Sequence, residues 1–390
     1  MSSRSQILAP GSTLGMLGGG QLGRMALLAG RRLGYRFHVY DPAPGCCAGP
    51  VAERTFPNAW NDAAALVDFA GSIDAVTLEF ENVPADTLRL LEKHVPARPG
   101  LRVLEVCQNR RREKEFLRRH GFPCADFAVV TSAAQLERAA AKLGFPCVLK
   151  TAVCGYDGKG QLKLPALPAG ISPDWEAVWS SFGADTAVVE KWIPFSAECS
   201  VIVARGLHGE MTTFPMAEND HRHHILHRSI APARLPAKVQ RTGAALAKEI
   251  AETLGVVGLL AVELFCVDGT LLVNELAPRP HNSGHYTLDA CVTSQFEQHI
   301  RAVAGLPLGA TDLLRPAVMV NLLGDVWQKG RAPNWAKLLR DPRVKLHLYD
   351  KGEPRPGRKM GHFTVVDENP KSALKLADQL FAELTGSWGK

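Results

Sequence analysis

Two carboxylates and an amide stand close together in the segment VELFCVDGTLLVNELA, residues 262–277. Glu263 and Glu275 each interrupt an otherwise apolar run, and Asn274 directly precedes the second of them. Burying a carboxylate is costly unless a cation or hydrogen bonds compensate for the lost water. Carboxylate and amide oxygens suit Mg²⁺, which usually takes its remaining ligands from water and substrate phosphates. The segment therefore predicts a Mg²⁺ site beside a nucleoside triphosphate.

The spacing within this segment leaves two geometries open. The apolar runs predict two strands joined at Asp268-Gly269. With a two-residue loop, Glu263 faces Asn274 and Glu275 points to the opposite side of the sheet. With a three-residue loop that includes Thr270, the two glutamates lie opposite each other and repel unless a cation lies between them. A surface hairpin with two solvated glutamates is the alternative to a metal site.

The loop that follows the hairpin, APRPHNSGH (residues 277–285), is rich in polar side chains. Pro278 and Pro280 stiffen the backbone on both sides of Arg279. The guanidinium group is a planar fork that suits a carboxylate, a phosphate or bicarbonate. A small oxyanion substrate next to the metal site is therefore expected here.

Two glycine-rich segments predict anion binding. In GGGQLG, Gly18, Gly20 and Gly23 have the GxGxxG spacing after a strand, and Asp41 ends the next strand, as in dinucleotide-binding folds. The alternative is a turn whose amides bind another anion. The segment KTAVCGYDGKGQLKL (residues 150–164) is a glycine-rich loop between two strands. It is either a flap over phosphates or an ordinary hairpin, and it lacks the Walker A pattern.

Two further segments carry weaker signals. EKWIPFSAE (residues 190–198) lies at a strand end, where free backbone groups can pair with an adenine edge and Glu198 can bind ribose hydroxyls. ENDHRHHILHR (residues 218–228) contains four histidines and is predicted to be a loop. Zinc is disfavoured there because no cysteine or carboxylate lies at zinc-ligand spacing.

The composition restricts the class of protein. The chain has 390 residues, a net charge of +6 and nine scattered cysteines, which predicts two or three domains and reduced thiols in the cytoplasm. It has no apolar run of membrane-spanning length, and no membrane partner is expected. The basic segment RRREKEFLRR (residues 110–119) is interrupted by glutamates and lacks an aromatic platform, so no nucleic-acid partner is expected.

The order of elements predicts how these residues are positioned. Strands alternate with helices up to about residue 84, which predicts a parallel, doubly wound sheet. A charged helix over residues 108–123 marks the first boundary, and antiparallel strands follow it. The predicted fold is α/β and α+β, with a Rossmann-like domain, a central domain and a small β-rich domain with a terminal helix, over residues 1–110, 111–310 and 311–390.

Taken in order along the chain, several motifs resemble the ATP-grasp superfamily and, within it, the 5-(carboxyamino)imidazole ribonucleotide synthase family. These motifs are GMLGGGQLGRM, TLEFENVP, QNR, GYDGKGQ, EKWIPFSAE, VELF…VNELAPRPHNSGHYT and RKMGH. The resemblance covers nearly the whole chain. It implies that the first domain is a pre-ATP-grasp domain whose glycine-rich turn faces a ribonucleotide, and that the central one is an ATP-grasp domain.

The resemblance implies an ATP- and bicarbonate-dependent carboxylation of 5-aminoimidazole ribonucleotide in purine biosynthesis. Carboxyphosphate would be the intermediate, ADP and phosphate would be released, Mg²⁺ would assist, and the protein would be a homodimer. A nicotinamide-dependent oxidoreductase is a rival, but it leaves the acidic hairpin and the GYDGKGQ segment unexplained. A sister ATP-grasp ligase, such as formate-dependent glycinamide ribonucleotide transformylase, is the closer alternative.

The resemblance also implies roles for individual residues. The residues implied in ATP binding, with Glu190, Lys191 and Ile193 at the adenine hinge, are Arg110, Lys150, Gly155, Tyr156, Asp157, Gly158, Lys159, Gly160, Gln161, Glu190, Lys191, Trp192, Ile193, Glu198, His221, Asn274 and Glu275. The implied Mg²⁺ ligands are Glu263 and Glu275. The implied catalytic residues, the first two of them in a bicarbonate pocket, are Arg279, His281 and Lys351. The residues implied in binding the aminoimidazole ribonucleotide are Gly20, Gln21, Leu22, Glu79, Tyr156, Asp157, Lys351 and Arg358.

The sequence departs from the family pattern at two places near the nucleotide. Asn109 stands where the family often has aspartate, and TAVC (residues 151–154) stands where arginine and glycine often precede GYDG. Both changes are expected to alter nucleotide affinity rather than the reaction.

Overall fold

The computed structural model describes residues 7–153, 160–166, 168, 173–327 and 331–386, and these form three β-sheets. The first sheet is parallel, with the order β3-β2-β1-β4. Its strands are β1 (Thr13–Leu17), β2 (Arg36–Tyr40), β3 (Arg54–Phe56) and β4 (Ala75–Leu78). The helices of this part are α1 (Gln21–Arg32), α2 (Ala63–Gly71), α3 (Ala85–Leu91), α4 (Leu101–Cys107) and α5 (Arg110–Arg119). The prediction of a doubly wound N-terminal sheet is confirmed.

The second sheet is antiparallel, with the order β5-β8-β6-β7. Its strands are β5 (Phe127–Val130), β6 (Cys147–Thr151), β7 (Gln161–Leu164) and β8 (Ala187–Lys191). Helices α6 (Ala133–Leu143) and α7 (Trp175–Phe182) pack on it through apolar side chains such as Leu136 and Trp179. This small α+β unit supplies the end of β8, where Glu190 and Lys191 lie.

The third sheet has nine strands and runs from the central segment to the C-terminal one. Its strands are β9 (Ala197–Arg205), β10 (Met211–Thr213), β11 (Ala217–Arg222), β12 (Ile225–Ala231), β13 (Gly258–Val267), β14 (Thr270–Ala277), β15 (Ala317–Leu323), β16 (Val344–Leu348) and β17 (Lys359–Val366). The accompanying helices are α8 (Ala237–Leu254), α9 (Thr287–Ala290), α10 (Gln295–Ala304), α11 (Trp335–Leu338) and α12 (Pro370–Thr385). The C-terminal strands extend the central sheet, because β15 pairs with β12.

The prediction of a loop for residues 218–228 is wrong. These residues belong to β11 and β12, which form a hairpin whose turn contains His223 and His224, both with positive φ. The burial of the two strands accounts for the difference: in β11, buried Ala217 and Asn219 alternate with half-buried Glu218 and Asp220, and most of β12 is buried, while His223 and His224 in the turn are exposed. His227 is buried and makes an edge contact with Phe381, away from the other histidines.

Two further findings concern membrane-spanning helices and the cysteines. None of the helices in the described ranges is long and apolar enough to cross a membrane. The eight cysteines within the described residues all carry free thiols.

Candidate active site

A β-bulge brings the two glutamates of the hairpin together. The loop between β13 and β14 has two residues, Asp268 and Gly269, both with positive φ, as the mirror-image turns of tight hairpins require. The register then runs from Val267↔Thr270 to Leu264↔Val273. It shifts between Glu263 and Leu264, so that Asn274 is the extra residue and Glu263 pairs with Glu275.

Neither geometry predicted for the hairpin is therefore right as a whole. The loop has the length of the first alternative, and the glutamates have the pairing of the second. A tight turn fixes the register only as far as the first irregularity of the ladder.

The paired glutamates lie on the wall of a cleft of about 950 Å³ between the three sheets. Most of the sequence-predicted site residues line this cleft. They are Gln21, Leu22, Glu79, Arg110, Lys150, Gln161, Glu190, Lys191, Trp192, Ile193, Glu198, His221, Glu263, Asn274, Glu275, Arg279 and His281. The fold thus gathers residues from positions 21 to 281 around a single space.

A buried glutamate surrounded by cations forms one side of the cleft. Glu190 is 3% exposed, and its carboxylate accepts hydrogen bonds from Arg110 Nη1 and Lys150 Nζ, both at 3.2 Å. The ammonium group of Lys114 lies 3.4 Å away. Burial opposes the ionised form of Glu190, but the three cations prevail and lower its pKa.

The same cluster perturbs the cations. Burial lowers the pKa of Lys150 to about 8, against the opposing effect of Glu190. Arg110 also donates from Nη2 to Glu275 at 2.8 Å, so it bridges the two acidic groups. The cluster concentrates positive charge next to the glutamate pair.

The hairpin glutamates differ in their surroundings. Burial works against ionisation of Glu263, but His281 Nε2, 2.9 Å away, and nearby positive groups outweigh it, and the pKa falls to about 2. The pKa of Glu275 is raised by burial first and then by the negative charges of Glu263 and Glu81, against the opposing charge of Arg110. Glu275 is therefore the member of the pair that lacks sufficient positive charge.

The donor set around this pair fits Mg²⁺. The amide oxygen of Asn274 is buried and has no hydrogen-bond partner within the described residues, and Asn274 lines the cleft. Two carboxylates and one amide oxygen are hard ligands, and Mg²⁺ commonly completes its shell with water and phosphate oxygens. The described residues contain no group of three or more His, Cys, Asp or Glu side chains placed to hold a metal by themselves. A metal here would depend on a second source of oxygens, such as a triphosphate.

Arg279 already holds a carboxylate in the way predicted for an oxyanion. Its guanidinium group donates through Nε and Nη2 to the two carboxylate oxygens of Glu81, the latter bond being 2.9 Å long. His281 lies next to it, and its Nδ1 contacts the hydroxyl of Ser283 at 2.8 Å. The guanidinium group of Arg279 thus lies in the cleft and binds a carboxylate through two of its nitrogens.

The GxGxxG turn of the first domain is occupied by a carboxylate of the protein itself. Glu79 accepts hydrogen bonds from the backbone amides of Gly20 and Gly23, the second at 2.7 Å. A Cβ added at Gly20 would overlap a carboxylate oxygen of Glu79. The amides that would bind a pyrophosphate in a dinucleotide-binding fold therefore already donate to Glu79. This disfavours the dinucleotide interpretation.

Two nucleotide-side residues have defined partners. His221 Nδ1 lies 2.7 Å from Glu198 Oε2, and although burial opposes protonation, this carboxylate raises the pKa of the imidazole. Asn109, the departure from the family pattern, caps helix α5 by accepting a hydrogen bond from the amide of Arg112. Asn and Asp are equally good at this position, so the helix that carries Arg110 keeps its start.

The remaining predicted residues lie elsewhere. Gly160 adopts a positive φ directly before β7. Lys351 is outside the cleft lining but near Glu79, and burial lowers its pKa. Arg358 donates to the carbonyl oxygen of Glu353 at 3.0 Å and is not part of the cleft wall.

The predicted flap residues Gly155, Tyr156, Asp157, Gly158 and Lys159 lie outside the described residues.

Several cleft residues escaped the sequence analysis. Glu81 is two positions after Glu79 in TLEFENVP, and only its pairing with Arg279 distinguishes it.

Phe195 and Phe265 stack with ring centroids 4.6 Å apart, and Lys163 lies 3.8 Å above the ring of Trp192. Lys359 also lines the cleft. An acid, aromatic residues and lysines carry no spacing signal by themselves, so only the fold assembles them.

Comparisons with known proteins identify relatives along the whole chain. A model of the ribonucleotide synthetase preATP-grasp domain matches residues 12–108, one of the ATP-grasp domain matches residues 115–296, and one of the phosphoribosylaminoimidazole carboxylase C-terminal domain matches residues 317–376. The chain is 44% identical to the N5-carboxyaminoimidazole ribonucleotide synthase of Bacillus subtilis, over 98% of this chain and 97% of the relative.

Solved structures agree with these matches. An N5-carboxyaminoimidazole ribonucleotide synthetase in complex with ADP is 42% identical and superimposes with a TM-score of 0.90 over 100% of both chains. The Aspergillus clavatus enzyme in complex with ADP and 5-aminoimidazole ribonucleotide is 29% identical, with a TM-score of 0.86 over 96% of this chain and 99% of that one.

Proposed function

The chain belongs to the N5-carboxyaminoimidazole ribonucleotide synthase family, and we propose that the cleft carries out the reaction of that family with the side chains described above. The protein is an ATP-grasp ligase that carboxylates 5-aminoimidazole ribonucleotide at the expense of ATP in purine synthesis. The observation that carries the assignment of residues is the pairing of Glu263 with Glu275 beside Arg110 and Lys150.

The chemistry requires activation of a poor electrophile. An oxygen of bicarbonate attacks the γ-phosphorus of ATP, ADP leaves, and carboxyphosphate forms. Carboxyphosphate then breaks down to phosphate and CO₂. The exocyclic amine of the ribonucleotide attacks CO₂ and loses a proton, which gives the carboxyamino product. Glu263, Glu275 and Asn274 would hold Mg²⁺, which neutralises charge on phosphate oxygens when it is bound.

Arg110 and Lys150 are the candidates for binding the phosphates of ATP. Both cations are paired with Glu190, and Arg110 is also paired with Glu275. Triphosphate oxygens would add negative charge to a cluster in which three cations share one buried glutamate. The backbone of Lys191 and Ile193 would bind the adenine edge, and Glu198 with His221 would bind the ribose.

Arg279 and His281 are the candidates for the bicarbonate pocket. Glu81 presents to Arg279 a planar three-atom group with two oxygens, which is the shape that bicarbonate also offers. Bicarbonate would either replace this carboxylate or share the guanidinium group with it. The ribonucleotide would lie toward Glu79, Gly20, Gln21 and Leu22, with Lys351 and Arg358 binding its phosphate.

A homodimer and a cytoplasmic location complete the proposal. The dimer rests on the family resemblance, and light scattering of the purified protein tests it. The location rests on the scattered free thiols, which are typical of a reducing compartment.

Substrate-dependent release of phosphate from ATP tests the function. Release should require both 5-aminoimidazole ribonucleotide and bicarbonate. Release that requires glycinamide ribonucleotide and formate instead would favour the sister ligase. Thermal-shift measurements complete the test, since Mg-ATP should raise the melting temperature and NAD should not.

Replacing Arg279 with lysine should impair the use of bicarbonate more than that of ATP. Lysine keeps the charge but loses the two-pronged hydrogen bond, which is worth about 1.5–3 kcal/mol, or roughly 10–100-fold in KM for bicarbonate. Steady-state kinetics with each substrate varied in turn would measure the effect. Arg301→Lys is the matched control, because Arg301 donates twice to Glu297 outside the cleft. Equal increases in both KM values would contradict the role.

The affinity for nucleotide should depend on pH through the protonation of Lys150. Because burial lowers the pKa of Lys150 to about 8, the side chain is charged below that pH and neutral above it. The dissociation constant for Mg-ADP should therefore rise by up to about tenfold per pH unit above that value. Calorimetric titration from pH 6.5 to 9.5 would measure this. Lys150→Arg should flatten the curve, since arginine stays charged, and an unchanged curve in that variant would exclude Lys150 as its source.

A further inference from the structure

The bulge at Asn274 is contacted by two ionisable side chains of helix α5. Lys114 Nζ donates to the carbonyl oxygen of Asn274 at 3.0 Å and lies 3.4 Å from that of Val273. One residue earlier on the helix, Glu113 Oε2 accepts a hydrogen bond from the amide of Leu276 at 2.8 Å. These two side chains, here termed the α5 clamp, therefore contact the backbone on both sides of Glu275.

The clamp lies where a bulged edge strand needs partners. Strand β14 stands at the end of its sheet, with β13 as its neighbour in the strand order. The extra residue of a bulge is left unpaired by the ladder, and buried backbone groups without partners are costly. The amide of Val273 is satisfied from the same side, by the carbonyl oxygen of Pro123. The chain around α5 thus supplies hydrogen bonds that the ladder cannot.

The two side chains of the α5 clamp are buried, so they do not serve to keep the surface of the helix polar. Glu113 is 1% exposed and Lys114 is 0% exposed, whereas Lys and Glu are almost never fully buried unless paired. The other carboxylate oxygen of Glu113 has no hydrogen-bond partner within the described residues. A helix that needed only to pack on the sheet would place apolar side chains at these positions.

We propose that Glu113 and Lys114 are positioning residues that fix the bulge at Asn274 and thereby keep Glu275 opposite Glu263. Without the bulge, the two-residue turn would pair Glu263 with Asn274 and direct Glu275 to the other face of the sheet. Lys114 also lies 3.4 Å from Glu190, so it joins the bulge to the cation cluster. The inference rests on the proposed Mg²⁺ site, but the clamp itself touches neither metal nor substrate.

The test measures metal binding rather than turnover. Binding of Mn²⁺ in the presence of ADP would be followed by electron paramagnetic resonance in the wild type, Lys114→Met and Glu113→Leu. Both variants should bind Mn²⁺ about tenfold or more weakly, as is typical when residues that orient metal ligands are lost. Glu113→Gln should stay within about threefold, because its amide oxygen still accepts from Leu276. Arg111→Met and Glu115→Gln are the controls, because these two side chains of α5 pair with each other and are 52% and 32% exposed.

The outcomes separate the clamp from the metal assignment. If Glu275→Gln binds Mn²⁺-ADP as the wild type does, the metal site and the role of the clamp are both overturned. If Glu275→Gln loses Mn²⁺ while Lys114→Met or Glu113→Leu retains it, the clamp alone is overturned. Glu113→Leu is apolar and similar in size, so it keeps the test decisive if Lys114→Met does not fold. Crystal structures of the weakened variants should show Glu275 displaced from Glu263.

Discussion

Replacing Glu275 with alanine is expected to abolish turnover while the chain remains folded. Removal of one of two carboxylate ligands would weaken charge neutralisation at the transferring phosphoryl group, which is worth several kcal/mol, or about 10³-fold in kcat. The fold should tolerate the change, because the side chain of Glu275 is 35% exposed on the cleft wall, and the negative charges of Glu263 and Glu81 contribute to its raised pKa. Arg110 keeps its second partner, Glu190, at 3.2 Å.

Three measurements on the Glu275→Ala variant separate its possible effects. Phosphate release gives kcat, circular dichroism gives the melting temperature, and titration with ADP in EDTA gives metal-independent nucleotide affinity. Glu252→Ala, on the exposed face of α8, is the control and should match the wild type in all three. A variant that unfolds, or that turns over at the normal rate, would refute the assignment of Glu275 as a metal ligand.

The hairpin shows how far the sequence alone could go. Asp268-Gly269 between two apolar runs correctly predicted strands and a turn, because turn chemistry is local. The bulge depends on Glu113 and Lys114, about 160 residues earlier, and no pattern within the hairpin reveals them. The residue types alone predict an acidic metal site. The pairing of Glu263 with Glu275 follows only from the tertiary contacts.

The same limit applies to the rest of the cleft. Arg279 was predicted from its stiff, polar loop, but its partner Glu81 lies in the turn after β4, 198 residues away. Glu190 was expected to serve the adenine hinge by resemblance, and its contacts with three cations were not expected. The β11–β12 hairpin was missed because the polar and charged residues of β11 hide its two-residue alternation, and because β12, although mostly buried, contains His227, Arg228 and Ser229. Local patterns thus predicted the elements, and the partners of the charged groups came only from the fold.

Glu190 is the residue whose charge should matter most for stability. Its carboxylate is 3% exposed and lies within 3.4 Å of the charged groups of Arg110, Lys114 and Lys150. Glu190→Gln keeps the shape but leaves the buried Lys114 and the partly buried Arg110 and Lys150 without their shared counter-charge. Losing one partner of a buried ion pair typically costs about 3–5 kcal/mol. Urea denaturation would measure the free energy of unfolding. Glu218→Gln is the control, since Glu218 pairs with the exposed Arg234 and its loss should cost about 1 kcal/mol or less.

The dependence on pH and on nucleotide distinguishes this role from simple packing. The pKa of Glu190 is lowered in the folded state from its ordinary value of 4.5, so its contribution is complete above that pH and is lost as the pH falls toward the folded value. The wild type should therefore lose stability in acid more steeply than Glu190→Gln. Mg-ATP should raise the melting temperature of the variant more than that of the wild type, because the triphosphate supplies the missing negative charge. If Glu190→Gln is as stable as the wild type and gains no more from Mg-ATP, Glu190 is not the counter-charge of this cluster.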